Sequence, residues 1–340
     1  MALPKPAVVE NSADDSHLYH KEAKDKLDKQ SLDYVVRSGI AGGAAGCAAK
    51  TLIAPLDRVK ILFQTSNPQF RRYTSSWLGF YKAGREIYRN CGALALFQGH
   101  SATLLRIFPY AAIKFVSYEQ VRSLFIRNKS QETSARRFLS GSVSGLISVF
   151  CTYPLDLVRV RLAYDTSDEQ ASRRGRLIRI VKKVYSERDG RGMINFYRGF
   201  VPTIFGMIPY AGVSFWAHDI FHDIFRSKLL APYAVSDSYH PRSSHSKRPL
   251  QAWAQLTAGG LSGMCAQTAS YPFEVIRRRM QVGGAVNERQ GMLATARNIV
   301  NGPNGARGLF VGLTIGYIKV IPMFACSFFV YERAKLWLGI

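Results

Sequence analysis

The sequence predicts an all-α membrane protein, with six transmembrane helices built as three related repeats of about 100 residues each. Three observations carry this expectation. Six charge-poor runs are long enough to cross a bilayer, one residue motif returns three times at matching spacings, and the basic residues crowd into the segments between the runs. The chain has 340 residues, with 46 Lys+Arg against 23 Asp+Glu and a formal net charge of +23. Aromatic residues at 12 % and charged residues at 20 % exclude a disordered or collagen-like chain. The mean hydropathy of −0.06 conceals the membrane character, because it averages apolar runs with basic connections.

In chain order, Ser38 to Leu56 holds one charge, Lys50, and Gly92 to Tyr118 holds two, Arg106 and Lys114. Phe138 to Leu155, Gly199 to Ala217 and Leu250 to Phe273 hold none, and Gly308 to Tyr331 holds one, Lys319. A helix spans a bilayer with about 20 residues. Several runs are rich in Gly, Ser and Thr, which suits a bundle around a polar path. An even number of spans places both termini on one side. The charges inside the runs are all basic. A charge near mid-bilayer costs about 2.5–3.5 kcal/mol, so such residues are seldom idle. Lys50, Arg106, Lys114 and Lys319, with no acid at their depth, point to a multiply charged anion. Snorkelling to the headgroups is the alternative, most open for Lys114 near the end of its run.

Residues 1–32 read as a disordered polar tail. The first 30 hold five Lys, six Asp/Glu and no Arg, unlike a cleavable Arg-rich presequence. Residues 227–249 read as a basic loop. The five cysteines form no Cys-x-x-Cys pair and read as small apolar residues, neither disulfides nor metal ligands. No zinc or nucleic-acid motif accompanies the basic residues, so an anionic bilayer, not nucleic acid, is their expected neighbour. No nucleophile–base constellation or Gly-rich phosphate loop appears, so neither an enzyme nor a bound cofactor is expected.

The repeats are carried by spacing. Pro55-Leu-Asp57-Arg-Val-Lys60, Pro154-Leu-Asp156-Leu-Val-Arg159 and Pro272-Phe-Glu274-Val-Ile-Arg277 share the pattern Pro-x-acid-x-x-base. Each is followed, 44, 45 and 40 residues after its proline, by a glycine: Gly99, Gly199 and Gly312. Ten residues later stands a proline (Pro109, Pro209, Pro322). Nineteen residues after the glycine comes a second motif: Tyr118-Glu119 with Arg122, His218-Asp219 with His222, and Tyr331-Glu332 with Lys335. This divides the chain into repeats over 33–128, 134–226 and 250–338. Proline inside a helix removes a backbone hydrogen bond and bends it, and an acid and a base three residues apart share a helix face. Three such helices about an axis place their acids and bases in a ring, and the second motif forms another ring about one membrane away. That is a device with two gates and a site between them.

With these motifs the sequence resembles the mitochondrial carrier family over about residues 33–338. The resemblance implies six tilted helices, a short matrix helix in each repeat, and alternating access across the inner membrane with both termini toward the intermembrane space. It also implies matrix-side pairs Asp57–Arg159, Asp156–Arg277 and Glu274–Lys60, with Gln64 and Gln281 as braces. Ala163 breaks the brace pattern, and Cys91 and Asn304 replace acids the family usually carries. His222 departs from the second motif. A histidine is mostly neutral at pH 7, so the ring on the intermembrane side is expected to hold at most two full ion pairs.

Where the repeats differ, the solute is expected to bind. Seven residues after the repeat glycine the triplet is Arg106, Gly206, Lys319; eleven after it, Tyr110, Tyr210, Met323; and five before the motif proline, Lys50, Val149, Gln267. Cations suit phosphates. Gly206 beside Met207 and Tyr210 leaves room for a flat ring, with close helix packing as the alternative explanation of the glycine. This set, with Arg278 in Arg277-Arg-Arg-Met280, resembles the adenine-nucleotide branch of the family, and the flanking Pro55–Gln64 segment is most similar to its coenzyme A carriers. The resemblance thus implies a monomeric carrier that exchanges coenzyme A or a related nucleotide amid membrane lipid such as cardiolipin. An ADP/ATP-type carrier, a peroxisomal coenzyme A carrier and a membrane scaffold without transport are the alternatives.

Overall fold

The computed structural model describes residues 32–74, 76, 78–126, 133–166, 173–187, 192–235, 250–285 and 290–339. The tail expected over 1–32 lies outside them apart from Leu32, as does the 236–249 part of the expected loop. The described part of that loop is not wholly irregular. It holds a four-residue helix, and Val235 bridges Leu250 across the gap. Buried Ala234, Leu250 and Ala254 pack together there, which gives the segment its own small apolar anchor.

Each repeat runs long helix, short helix, 3-10 turn, long helix. The first repeat comprises α1 (Leu32–Gln64), α2 (Gly79–Cys91) and α3 (His100–Phe125). The second comprises α4 (Ser134–Tyr164), α5 (Arg173–Tyr185) and α6 (Phe200–Phe225), followed by the extra α7 (Ala231–Ala234). The third comprises α8 (Ala252–Gly283), α9 (Met292–Val300) and a final helix broken into α10 (Leu313–Ile318) and α11 (Val320–Leu338). The break is a single residue within one membrane-long stretch, Gly305–Leu338. It falls at Lys319, three residues before Pro322, whose ring cannot continue the ladder. Pro55, Pro154 and Pro272 lie inside α1, α4 and α8, and Pro109 and Pro209 inside α3 and α6.

Among the described residues, four stretches are long and apolar enough to cross a membrane: Val36–Gln64, Arg136–Tyr164, Gly192–Phe225 and Gly305–Leu338. Helices α3 and α8, at 26 and 32 residues, have the length but not the apolarity. Arg106 and Lys114 dilute α3, and Gln, Ser and Thr dilute α8. Their place as spans follows from their equivalence to α6 and α4. The outer faces are apolar. Leu105, Phe108 and Phe115 of α3 and Phe205, Ile208, Phe215 and Trp216 of α6 are exposed, the inverse of a water-soluble surface and the pattern expected where lipid is the solvent.

Two compact units make up the chain, Met1–Ala49 with Phe324–Ile340, and Lys50–Met323. In the first, Arg37 donates to the Leu338 carbonyl at 3.0 Å and Ser38 lies 3.4 Å from the Tyr331 hydroxyl. In the second, the most extensive contacts run between repeats: α3 packs on α4, and α6 on α8.

The three repeat glycines explain how each even-numbered span begins. Gly99, Gly199 and Gly312 have φ of +83°, +80° and +84°, the left-handed region that side chains resist. Gly99 lies against α4 of the second repeat, Gly199 against α8 of the third, and Gly312 against α8 of its own repeat and α1 of the first. A Cβ on Gly99 would be 2.8 Å from the Arg159 carbonyl, one on Gly199 3.0 Å from the Arg277 carbonyl, and one on Gly312 3.1 Å from the Tyr271 hydroxyl. Conformation and contact therefore both demand glycine. Gly199→Ala should cost at least the roughly 1–2 kcal/mol of left-handed strain and lower the unfolding temperature of the detergent-purified protein by several degrees. Gly141→Ala, where a Cβ meets nothing within 4 Å, should leave it unchanged or raise it. Equal effects of the two substitutions would contradict this account of the repeat glycine.

Candidate functional site

The site is built where the C-terminal halves of α1, α4 and α8 meet. The motif proline bends each helix, and the acid two residues later then faces the base of a neighbouring repeat. Arg159 Nη2 lies 3.0 Å from Asp57 Oδ2, Arg277 Nη2 2.5 Å from Asp156 Oδ2, and Lys60 Nζ 2.9 Å from Glu274 Oε1. The ring is therefore closed on all three sides. It is unevenly buried, with the Asp156 side chain 1 % exposed, that of Lys60 5 % and that of Glu274 28 %. A buried charge persists only with partners, and Asp156 has several. Besides Arg277 it receives Arg106 Nη1 at 2.7 Å, Arg278 Nη1 at 3.2 Å and the Gln281 amide at 3.0 Å.

Two buried tyrosines strut the ring, and both went unnoticed in the sequence. Gln64 donates to the Tyr271 hydroxyl at 3.0 Å, and Gln281 to the Tyr153 hydroxyl at 3.1 Å. Those hydroxyls donate in turn to the carbonyls of Val311 and Arg198, beside the repeat glycines. The available signal was the Tyr-Pro dipeptide at Tyr153-Pro154 and Tyr271-Pro272. The first repeat has Ala54 in that place, and the glutamine that would meet it is Ala163. Both halves of the third strut are thus missing together. A cavity of about 10 Å³, room for one water, lies there among Lys50, Ala54, Asp57, His100, Arg159 and Ala163. Ile61 and Val160, at equivalent positions, pack with Ala163 and Val282 into a small apolar cluster. The third equivalent position is Arg278, so the pseudo-threefold symmetry breaks in favour of a cation.

Two of the four cations expected to stand without acids are paired with them. Arg106 is paired with Asp156, and Lys319 Nζ lies 2.9 Å from Asp57 Oδ1. The correction has a plain cause. The charge-poor runs end before the motif acids, yet a long side chain on a neighbouring helix reaches them. Arg106 also donates to Thr152 at 3.4 Å and lies over the Tyr110 ring at 5.6 Å. Lys50 has a softer neighbour, the Met323 sulfur at 3.8 Å. Lys114 is exposed.

Gly206 is also corrected. A Cβ there would lie 3.0 Å from Phe273 Cβ, so helix α8 occupies much of the space assigned to a flat ring. Close packing of α6 on α8 explains the glycine. Met207 and Tyr210, which flank it, are exposed by 37 % and 47 % and remain available to a solute.

At the other end, the second motif does not form an ion pair between its first two copies. Glu119 is exposed and makes none with His222, whose ring instead stacks on His218 with centroids 4.0 Å apart. Asp219 has only His218, at 3.8 Å, and its side chain is 85 % exposed. Lys335 faces Glu332 of its own helix at 3.9 Å and lies over the Tyr331 ring. Arg122 lies near the end of α3.

The threefold architecture and its ring of pairs have counterparts among known proteins. The family model described as mitochondrial carrier protein matches residues 32–129, 130–229 and 248–340. The chain is 53 % identical over 340 residues to the mitochondrial carrier protein LEU5 of Saccharomyces cerevisiae, covering 93 % of this chain and 94 % of that one. It is 40 % identical over 305 residues to the human solute carrier family 25 member 16, covering 89 % and 88 %. With the mitochondrial carrier protein CoAc1 of Arabidopsis thaliana it shares 34 % over 331 residues, covering 91 % and 92 %. Three matched repeats and identities of this size over nearly the whole chain place it in the mitochondrial carrier family, whose members are multi-pass membrane transporters and not enzymes.

Proposed function

We propose that the protein exchanges coenzyme A, or a related adenine nucleotide such as adenosine 3′,5′-diphosphate, across the mitochondrial inner membrane by alternating access. Its termini face the intermembrane space and the closed ring faces the matrix. The observation that carries this reading is a charge imbalance. Seven cations (Lys50, Lys60, Arg106, Arg159, Arg277, Arg278 and Lys319) gather about three carboxylates, Asp57, Asp156 and Glu274. The four positive charges left over suit a 3′-phosphate with a pyrophosphate, which together carry about four negative charges. A dicarboxylate would leave half of them uncompensated. The likeness to CoAc1 along most of the chain supports the same branch.

The geometry also supplies a coupling. Phosphate oxygens would offer Arg106 and Lys319 an alternative to Asp156 and Asp57. Drawing those two cations away leaves the ring carboxylates fewer partners and favours parting of the helix ends. Met207 and Tyr210 would lie against the adenine. On the matrix surface, Lys182, Lys183 and Tyr185 of α5 are exposed and suit anionic headgroups such as cardiolipin. The carrier acts as a monomer, one site within one set of three repeats.

Exchange in proteoliposomes tests the substrate. With coenzyme A inside, uptake should be fastest for solutes bearing the 3′-phosphate, slower for dephospho-coenzyme A and slowest for ADP. Rapid ADP uptake without coenzyme A uptake would overturn the assignment in favour of an ADP/ATP-type carrier. Arg106→Ala and Lys319→Ala should each cut exchange at least tenfold, since a charged hydrogen bond is worth about 1.5–3 kcal/mol; wild-type rates from either would contradict the site.

Charge reversal tests the ring. Lys60 and Glu274 pair one to one, so Lys60→Glu with Glu274→Lys should recover much of the exchange that either change abolishes alone. The same reversal at Asp156 and Arg277 should recover little, because the new arginine would face Arg106 and Arg278. Equal recovery at both places would show that Asp156 does not serve several cations.

A further inference from the structure

Beyond the ion-pair ring, arginines also cross between repeats to main-chain carbonyls and a hydroxyl. Arg58 of α1 donates through Nε to the Ala163 carbonyl at the end of α4, at 3.4 Å. Arg161 of α4 donates through Nε to the Gln281 carbonyl near the end of α8, at 2.5 Å. Arg279 of α8 donates through Nη2 to Ser66 Oγ in the turn after α1, also at 2.5 Å. The first repeat thus grips the second, the second the third, and the third the first. Arg161 and Arg279 stand seven residues after their motif prolines. The first repeat has Leu62 at that place and supplies Arg58, three residues after Pro55, instead. Asn67 reinforces the first grip by donating to the Tyr164 carbonyl at 3.4 Å.

We infer that Arg58, Arg161 and Arg279 form a second closure of the matrix end, independent of the solute, and that these positioning residues set the energy of the closed state. The inference rests on the alternating-access reading above and adds to it. The ion-pair ring offers carboxylates, which a phosphate can replace. The second closure is directed at two main-chain carbonyls and a hydroxyl, inside the protein. Arg58 and Arg161 are 3 % and 4 % exposed, out of a solute's reach. Arg161 is further fixed by Glu187, with Nη1 2.6 Å from Oε1, and Arg58 by the Ala95 carbonyl. For the helix ends to part, all three grips must release. That cost is borne whether or not solute is present, so it resists leakage through the empty carrier.

Ser66 provides a test that separates gating from general weakening. It is the only described residue other than glycine with positive φ, at 50°. Ser66→Gly therefore relieves backbone strain while it removes the acceptor for Arg279. The reporter is Val160→Cys, fully buried in the apolar cluster between the helix ends, in a chain whose five native cysteines are replaced by serine or alanine. Its rate of reaction with a maleimide, without solute, measures opening of this end. Ser66→Gly and Arg279→Gln should each speed labelling about tenfold, and Ser66→Gly should leave the unfolding temperature unchanged or raised. Unchanged labelling in both variants overturns the inference, as does faster labelling of Ser66→Gly with a lowered unfolding temperature. Failure of the purified protein to exchange coenzyme A, with the labelling pattern intact, would count against the proposed substrate and leave the second closure standing.

Discussion

Asp57, Asp156 and Glu274 are charges drawn out of water to different degrees, their side chains 11 %, 1 % and 28 % exposed, and the rest of the structure depends on keeping them paired. A carboxylate taken out of water loses several kcal/mol of solvation, recovered only through well-placed cations and hydrogen bonds. Here each acid is met from a neighbouring repeat, so satisfying the charge obliges α1, α4 and α8 to converge. The motif prolines bend the helices to that meeting point. The repeat glycines let α3, α6 and α10 start flush against it, and the tyrosine–glutamine struts hold the backbones at the required separation. The motif residues are parts of one arrangement rather than separate features.

The arrangement is held unequally around the ring. Asp156 has four partners and a strut, Glu274 a single pair and a strut, and Asp57 two cations and no strut. Its third strut is replaced by a cavity the size of a water and by Arg58 and Asn67 on main-chain carbonyls. An asymmetric solute meeting a threefold scaffold needs such inequality. The same positions that break symmetry here, Ala54, Ala163 and Arg278, lie within the ring itself, so recognition and closure share residues rather than occupying separate layers.

Much of this was legible in the sequence because it is spaced. Repeats, motif prolines and a ring of acids and bases follow from residue types recurring at fixed intervals, which physical periodicity makes visible, whereas the three specific pairs and the short helices come from the family resemblance those motifs carry. What stayed hidden depends on side-chain reach and on packing. Nothing in a charge-poor run tells that Arg106 and Lys319 extend to acids on other helices. Gly206 reads equally as a vacancy and as a contact until the distance to Phe273 is known. His222 looks like a weakened gate residue, yet its nearest ring is His218 one turn away on its own helix. Tyr153 and Tyr271 carried a visible signal, a repeated Tyr-Pro, whose meaning appears only when the facing glutamine is placed opposite.

The central claim is that an anionic solute and the ring carboxylates compete for the same cations, so that binding itself loosens the matrix end. The direct measurement is the distance between spin labels at Thr65 and Tyr164, at the ends of α1 and α4, in the reconstituted carrier. Saturating coenzyme A should add a longer-distance population, and pantetheine, which lacks the phosphates, should add none. An unchanged distribution with coenzyme A, or the same change with pantetheine, would contradict the claim that phosphate charge opens the ring.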